Sequence, residues 1–117
     1  MSTSPSISAT TTIDLGDADD ILAEGRTVVN LAQLDGAEVL ILRTRRGLFA
    51  VENRCPHGGR SLCDGHARGR HLTCTGHDLK FDLLTGRPQP GLHQRYRTGP
   101  LKTFPVWRAE GRLYIAV

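Results

Sequence analysis

The 117-residue sequence predicts an all-β fold, and three observations lead there. Short stretches of β-branched and apolar residues recur between turn-forming pairs at regular intervals. Asp35-Gly36 lies between two such stretches and signals a hairpin. The only helical indication is local. Asp17, Asp19 and Asp20 precede Ile21 and Leu22, which leaves room for one turn before Gly25.

The elements follow in order. Residues 1–12 are Ser/Thr-rich and read as a disordered tail, with no basic start or apolar centre that would mark a secretory signal. Ile13 opens one domain, 13–117. Strands are predicted over 27–34 and 38–43, and Arg45-Arg46-Gly47 turns the chain into a third at 48–51. Short strands are expected at 71–73 and 79–81, and a turn at Thr85-Gly86. Residues 89–94 read as irregular. The segments 101–107 and 112–117 form a last hairpin across Ala109-Glu110-Gly111, with Trp107 in the core or half-buried in its sheet.

Residues 54–77 break this pattern. Gly58, Gly59, Gly65, Gly69 and Gly76 crowd the stretch, and neither a two-residue nor a 3.6-residue repeat survives. So long an irregular segment needs another source of order, and metal–ligand bonds supply one.

Composition narrows the function. The net charge is +3, with 13 Arg and two Lys dispersed among 12 acids and few aromatics. That is a poor footprint for nucleic acid. Three cysteines do not make an even disulfide framework, so a reducing cytoplasm is expected. The longest apolar run, Val39-Leu40-Ile41-Leu42, is far too short to span a membrane.

Two short patterns carry the chemistry. Cys55-Pro56-His57 and Cys74-Thr75-Gly76-His77 are separated by 16 residues. Together they offer two thiolates and two imidazoles, the ligand set of a Rieske-type [2Fe–2S] centre. Ligands two apart in an extended loop point to one side, and ligands three apart reach one side around a tight turn. Gly59 and Gly76 permit such turns and let backbone N–H groups approach sulfur. Zinc is the competing reading, since it also accepts Cys2His2. Its structural sites, however, pair Cys with Cys and His with His at short spacing, whereas each pattern here mixes the two. With two ferric ions, two sulfides, two thiolates and neutral imidazoles, the oxidised centre is neutral and the reduced one carries a single negative charge. An all-cysteine cluster is more negative, and accepting an electron there is harder.

From residue 53 to 91 the chain resembles the cluster-binding region of Rieske ferredoxins, the small partners of aromatic-ring-hydroxylating dioxygenases. Cys55-Pro56-His57-Gly58-Gly59 is similar to their first box. Cys74, His77, Phe81, Asp82, Thr85 and Gly86 resemble the second box and its following turn, and Gly99-Pro100-Leu101 resembles the loop that shields the cluster. The resemblance implies a Rieske-like antiparallel β-sandwich with a small cluster-binding subdomain built on loops near 54–60 and 73–79. It implies one [2Fe–2S] cluster, with Cys55 and Cys74 on the inner iron and His57 and His77 on the outer, solvent-facing iron. It implies a cytoplasmic monomer that is not itself an enzyme. Such a carrier takes electrons from a ferredoxin reductase, a flavoprotein, to a terminal oxygenase of aromatic hydrocarbon catabolism.

Some residues depart from the family. Thr75 and Gly76 stand where Pro-Trp is usual, and Asp78 replaces a glycine. Loss of the ring opens one side of the cluster, and the added carboxylate favours a lower potential. Arg60 and Gly76 occupy the places of the disulfide found in high-potential Rieske proteins, and Leu79 and Phe81 those of their hydroxyl donors. A midpoint near the low end of the Rieske range, roughly −150 mV, is therefore expected.

Other residues have two readings each. Cys63 packs as a small residue or serves as a redox thiol. His66, His71 and His93 are surface positions or tune the cluster. Arg54, Arg60, Arg68, Arg70 and Arg87 are solvated charges or a basic rim that steers an acidic partner. For the whole chain, the alternatives are a small Rieske subunit of another oxidoreductase, such as an assimilatory nitrite reductase, and a zinc-stabilised interaction module.

Overall fold

The computed structural model describes residues 11–56, 62, 65–74, 80–89 and 99–117. Among the described residues, ten strands form three antiparallel sheets. They are β1 (Thr12–Asp17), β2 (Arg26–Leu31), β3 (Ala37–Thr44), β4 (Gly47–Glu52), β5 (His66–Arg68), β6 (His71–Thr73), β7 (Lys80–Asp82), β8 (Thr103–Phe104), β9 (Val106–Ala109) and β10 (Arg112–Ala116). The first sheet runs β1-β10-β9, the second β2-β3-β4-β8 and the third β5-β6-β7.

The second sheet lies between the other two, and β3 shows why. Val39, Leu40, Ile41 and Leu42 are all buried. Side chains alternate across a strand, so Val39 and Ile41 pack toward Leu113 and Ile115 of β10, while Leu40 and Leu42 pack on the opposite face with Leu72 and Phe81 of the third sheet. β4 repeats the division, with Ala50 in the first core and Phe49 and Val51 in the second. An uninterrupted apolar run is the mark of a strand covered on both faces. Each fully buried Leu, Ile or Phe side chain contributes about 1.5–3 kcal/mol.

Chain ends and turns hold these layers in register. Thr11 and Val117 exchange both backbone hydrogen bonds, so the sheet begins before Ile13, and residues 1–10 of the expected tail lie outside the described residues. Asp17 accepts from the Asp20 amide at 3.0 Å and caps α1 (Ala18–Ile21), the single helical turn expected. The strand predicted over 27–34 stops at Leu31. Ala32–Leu34 form a 3₁₀ turn instead, because Asp35 and Gly36 both take positive φ, 57° and 80°. Asp35 and Gly36 donate back to the Ala32 and Leu31 carbonyls and close that turn.

The last hairpin also differs from expectation. Thr103–Phe104 pairs with β4, whereas Val106–Ala109 pairs with β10. Pro105 separates them, and with no N–H to donate it marks the change of sheet. Trp107 is 38% exposed and stacks on Tyr114 at 5.9 Å on the outside of the first sheet rather than entering a core.

The third sheet forms the small subdomain. His66, Thr73 and Lys80 align across it, as do Ala67, Leu72 and Phe81, and Arg68, His71 and Asp82. Leu72 and Phe81 face the core. Thr44 Oγ1 donates to Gly69 O at 2.6 Å and Arg26 Nη1 to Gly65 O at 2.8 Å, fastening this sheet to the second.

Asp82 organises the turn that follows. It accepts from Arg70 at 2.5 Å and from the amides of Leu84 and Thr85. Burial pushes the Asp82 carboxyl up, but the Arg70 bond and the two amides outweigh it, so its pKa lies below the ordinary value. A depressed carboxylate pKa adds stability above the unfolded value, and that stability is lost as pH falls through the folded value. The Asp82→Asn variant is therefore expected to unfold more readily near neutrality. The gap should begin to close below about pH 4, the region of the unperturbed Asp value, and vanish only as pH falls through the lowered folded value. Urea midpoints across pH check this, and a constant gap would contradict it.

Candidate metal centre

Cys55 lies three residues beyond β4, and Cys74 follows β6 directly. Both are 1% exposed and belong to the core shared by the second and third sheets, with Leu62, Leu72, Phe81 and Leu101. Two cysteines from distant stretches thus share one buried apolar cluster. His57 and His77 lie outside the described residues, as do Cys63, His93, Arg60, Thr75, Gly76, Asp78 and Leu79. Among the described residues no three His, Cys, Asp or Glu side chains converge, and two of the four expected ligands lie outside those residues.

The anchoring of both cysteines is visible. Asn53, two residues before Cys55, is 6% exposed and is the buried polar side chain among the described residues. Its Oδ1 accepts from the Leu62 amide at 2.8 Å, its Nδ2 donates to Glu38 Oε1 at 3.0 Å, and its backbone N–H donates to Glu38 O. One side chain therefore pins both ends of the first-box loop. The sequence held only a weak sign of it, a lone amide after an apolar strand. Asn53→Ala leaves the buried Leu62 amide without its acceptor, which costs about 1–3 kcal/mol. Denaturant unfolding is expected to show that loss together with lower iron retention, and unchanged values of both would contradict the bracket.

Glycine holds the second stretch close. A Cβ on Gly65 would lie 2.5 Å from Thr73 O, beside Cys74. A Cβ on Gly86 would lie 2.0 Å from Leu101 O, and Leu101 N donates to Gly86 O. Leu101 is 3% exposed, so the segment expected to shield the cluster does place a side chain in the cysteine core, while Gly99 and Pro100 remain exposed.

The remaining candidates separate. His66 is exposed on β5. His71 is half-buried, its Nε2 2.8 Å from the Gln89 side-chain nitrogen. Of the expected arginine rim, Arg54, Arg68 and Arg87 are exposed, while Arg70 is tied to Asp82.

A family model described as the Rieske [2Fe–2S] domain matches residues 12–105. The ferredoxin component of the naphthalene 1,2-dioxygenase/salicylate 5-hydroxylase systems of Ralstonia sp. is 32% identical over 96 residues, covering 80% of this chain and 84% of that protein. Among solved structures, the complex of reduced oxygenase and oxidised ferredoxin in carbazole 1,9a-dioxygenase contains a chain that superposes with a TM-score of 0.71 at 28% identity, covering 90% of this chain and 92% of that one. The ferredoxin of carbazole 1,9a-dioxygenase from Nocardioides aromaticivorans IC177 has the same fold, with a TM-score of 0.70 at 22% identity over 90% of this chain and 96% of its own.

Proposed function

Because the chain belongs to the Rieske [2Fe–2S] domain family, we propose that it is the ferredoxin component of a ring-hydroxylating dioxygenase system, carrying one electron from a reductase to a terminal oxygenase. The observation that carries this reading is the burial of Cys55 and Cys74 in one core beneath the third sheet. The residues fit the family's cluster. Thiolate ligands need to be fixed and shielded, and both sulfurs sit in apolar surroundings at the ends of hydrogen-bonded elements.

Cys55 and Cys74 are assigned to one iron and His57 and His77 to the other. When bound, the cluster supplies a one-electron couple. The chain contributes the rest. Leu62, Leu72, Phe81 and Leu101 exclude water from the sulfur side. Asn53 and the Asp82 turn fix the loops, so little needs to rearrange when charge changes. The family match sets aside the zinc-stabilised module.

The reductase is taken to be a flavoprotein and the carrier a cytoplasmic monomer. Among the described residues only Leu84 and Trp107 are large exposed apolar side chains, which favours a single chain over a stable oligomer. No helix among the described residues is long and apolar enough to cross a membrane. The test uses dithionite-reduced protein freed of reductant and mixed anaerobically with an oxidised ring-hydroxylating oxygenase. Stoichiometric re-oxidation is expected. Failure to transfer, or purification only as a tight complex with a large catalytic chain, would favour the small-subunit alternative.

A further inference from the structure

Among the described residues, a group of basic side chains gathers along the third sheet and the β3–β4 turn. Three adjoining concavities, all touching Arg68, run from the β3–β4 turn across the outer face of β5-β6-β7. Seven of the chain's 15 Lys and Arg line them, with Glu24 as the acid among the lining residues and Asp82 counted as the partner bound to Arg70. That belt carries +5, so the rest of the +3 sequence sums to −2. Arg26 and Arg70 are engaged with Gly65 O and Asp82. Arg43, Arg45, Arg46, Arg68 and Lys80 are exposed, and among the described residues none of them forms an ion pair.

This set differs from the rim expected from sequence. It draws on the β3–β4 turn, remote in sequence from the cluster boxes, and keeps only Arg68 and the tied Arg70. Thr73 and Lys80 form its far end, and these residues bracket the second-box loop. The belt therefore ends at the residues that flank the second box in the sequence.

We propose that this belt is the docking surface for the acidic face of a redox partner protein. The proposal rests on the electron-carrier reading. Complementary charge raises encounter rates and orients the partner before contact. No Phe, Tyr or Trp side chain lines the belt, where His66 and His71 are the ring-bearing residues, so it is poor in the stacking platforms of a single-stranded nucleic-acid groove.

The test uses two acceptors of opposite surface charge, acidic plastocyanin and basic cytochrome c. Each takes one electron from the dithionite-reduced holoprotein, copper(II) becoming copper(I) or ferric haem becoming ferrous as this chain is oxidised. The rate with plastocyanin is expected to fall about tenfold between low and high salt, as screening removes steering. Arg68→Glu with Lys80→Glu should slow it by about tenfold at low salt. Lys102→Glu, which alters charge away from the belt, should change it less than about twofold. Calorimetric titration of plastocyanin against the same variants reads docking without electron transfer. Binding that weakens with the belt variant alone supports the surface, whatever the transfer result. Equal effects of belt and Lys102 variants, or tighter binding of duplex DNA than of plastocyanin, would overturn it. Loss of transfer to both acceptors with binding intact would instead break the carrier reading.

Discussion

Cys74→Ser is expected to yield a folded protein almost devoid of iron. The side chain lies 1% exposed in an apolar core, where a thiolate paired with metal is tolerated and a hydroxyl is a poor soft-metal ligand. The first and second sheets keep their own core of Val39, Ile41, Ala50, Leu113 and Ile115, so secondary structure should survive. Iron per chain should fall at least about tenfold, in line with disruption of a ligand set, and visible absorbance should vanish with it. Cys55→Ser should behave alike. Cys63→Ser is the control, because Cys63 has no assigned role as a ligand, and it should retain full iron. Metal analysis and absorbance after identical reconstitution check this. Equal iron in the Cys63 and Cys74 variants would contradict the assignment.

Gly86→Ala is expected to be the most damaging substitution outside the ligands. Two penalties coincide there. The backbone sits at φ 80°, a region costly for residues with a Cβ, and the new Cβ would lie 2.0 Å from Leu101 O. Strain of about 1–3 kcal/mol adds to overpacking of about 1–3 kcal/mol. Relief requires Leu101 to move, which opens the cysteine core. Gly36 separates the two causes, since it has the same φ of 80° and nothing within 4 Å of its Cβ position. Gly36→Ala should cost about 1 kcal/mol. Thermal unfolding should place Gly86→Ala about 10 °C or more below the parent. It should place Gly36→Ala only a few degrees below. Equal midpoints would show that the approach to Leu101 is unimportant.

These effects indicate what the sequence could reveal. Asp35-Gly36 and the Arg45-Arg46 turn were readable because turn chemistry is local, and the ligand boxes because their spacing is short. The apolar run at 39–42 revealed a strand, yet its role as a wall between two cores depends on Leu113 and Phe81, which are far along the chain. His66–Arg68 has two polar residues of three and becomes a strand only by pairing with His71–Thr73. The change of sheet at Pro105 was hidden for a similar reason, because both partners of the segment are remote. Asn53 and Gly65 act through single contacts to Leu62 and Thr73. The cationic belt joins residues from four separate stretches that no sequence window contains.

The most direct test of the central claim is joint iron, acid-labile sulfide and EPR analysis of the reduced, reconstituted protein. If Cys55, Cys74, His57 and His77 hold one cluster, each chain contains two irons and two sulfides. Mixed nitrogen and sulfur ligation then gives an average g value below that of an all-thiolate cluster. A protein that binds zinc but no iron and sulfide, or one with an all-thiolate signal, would contradict it.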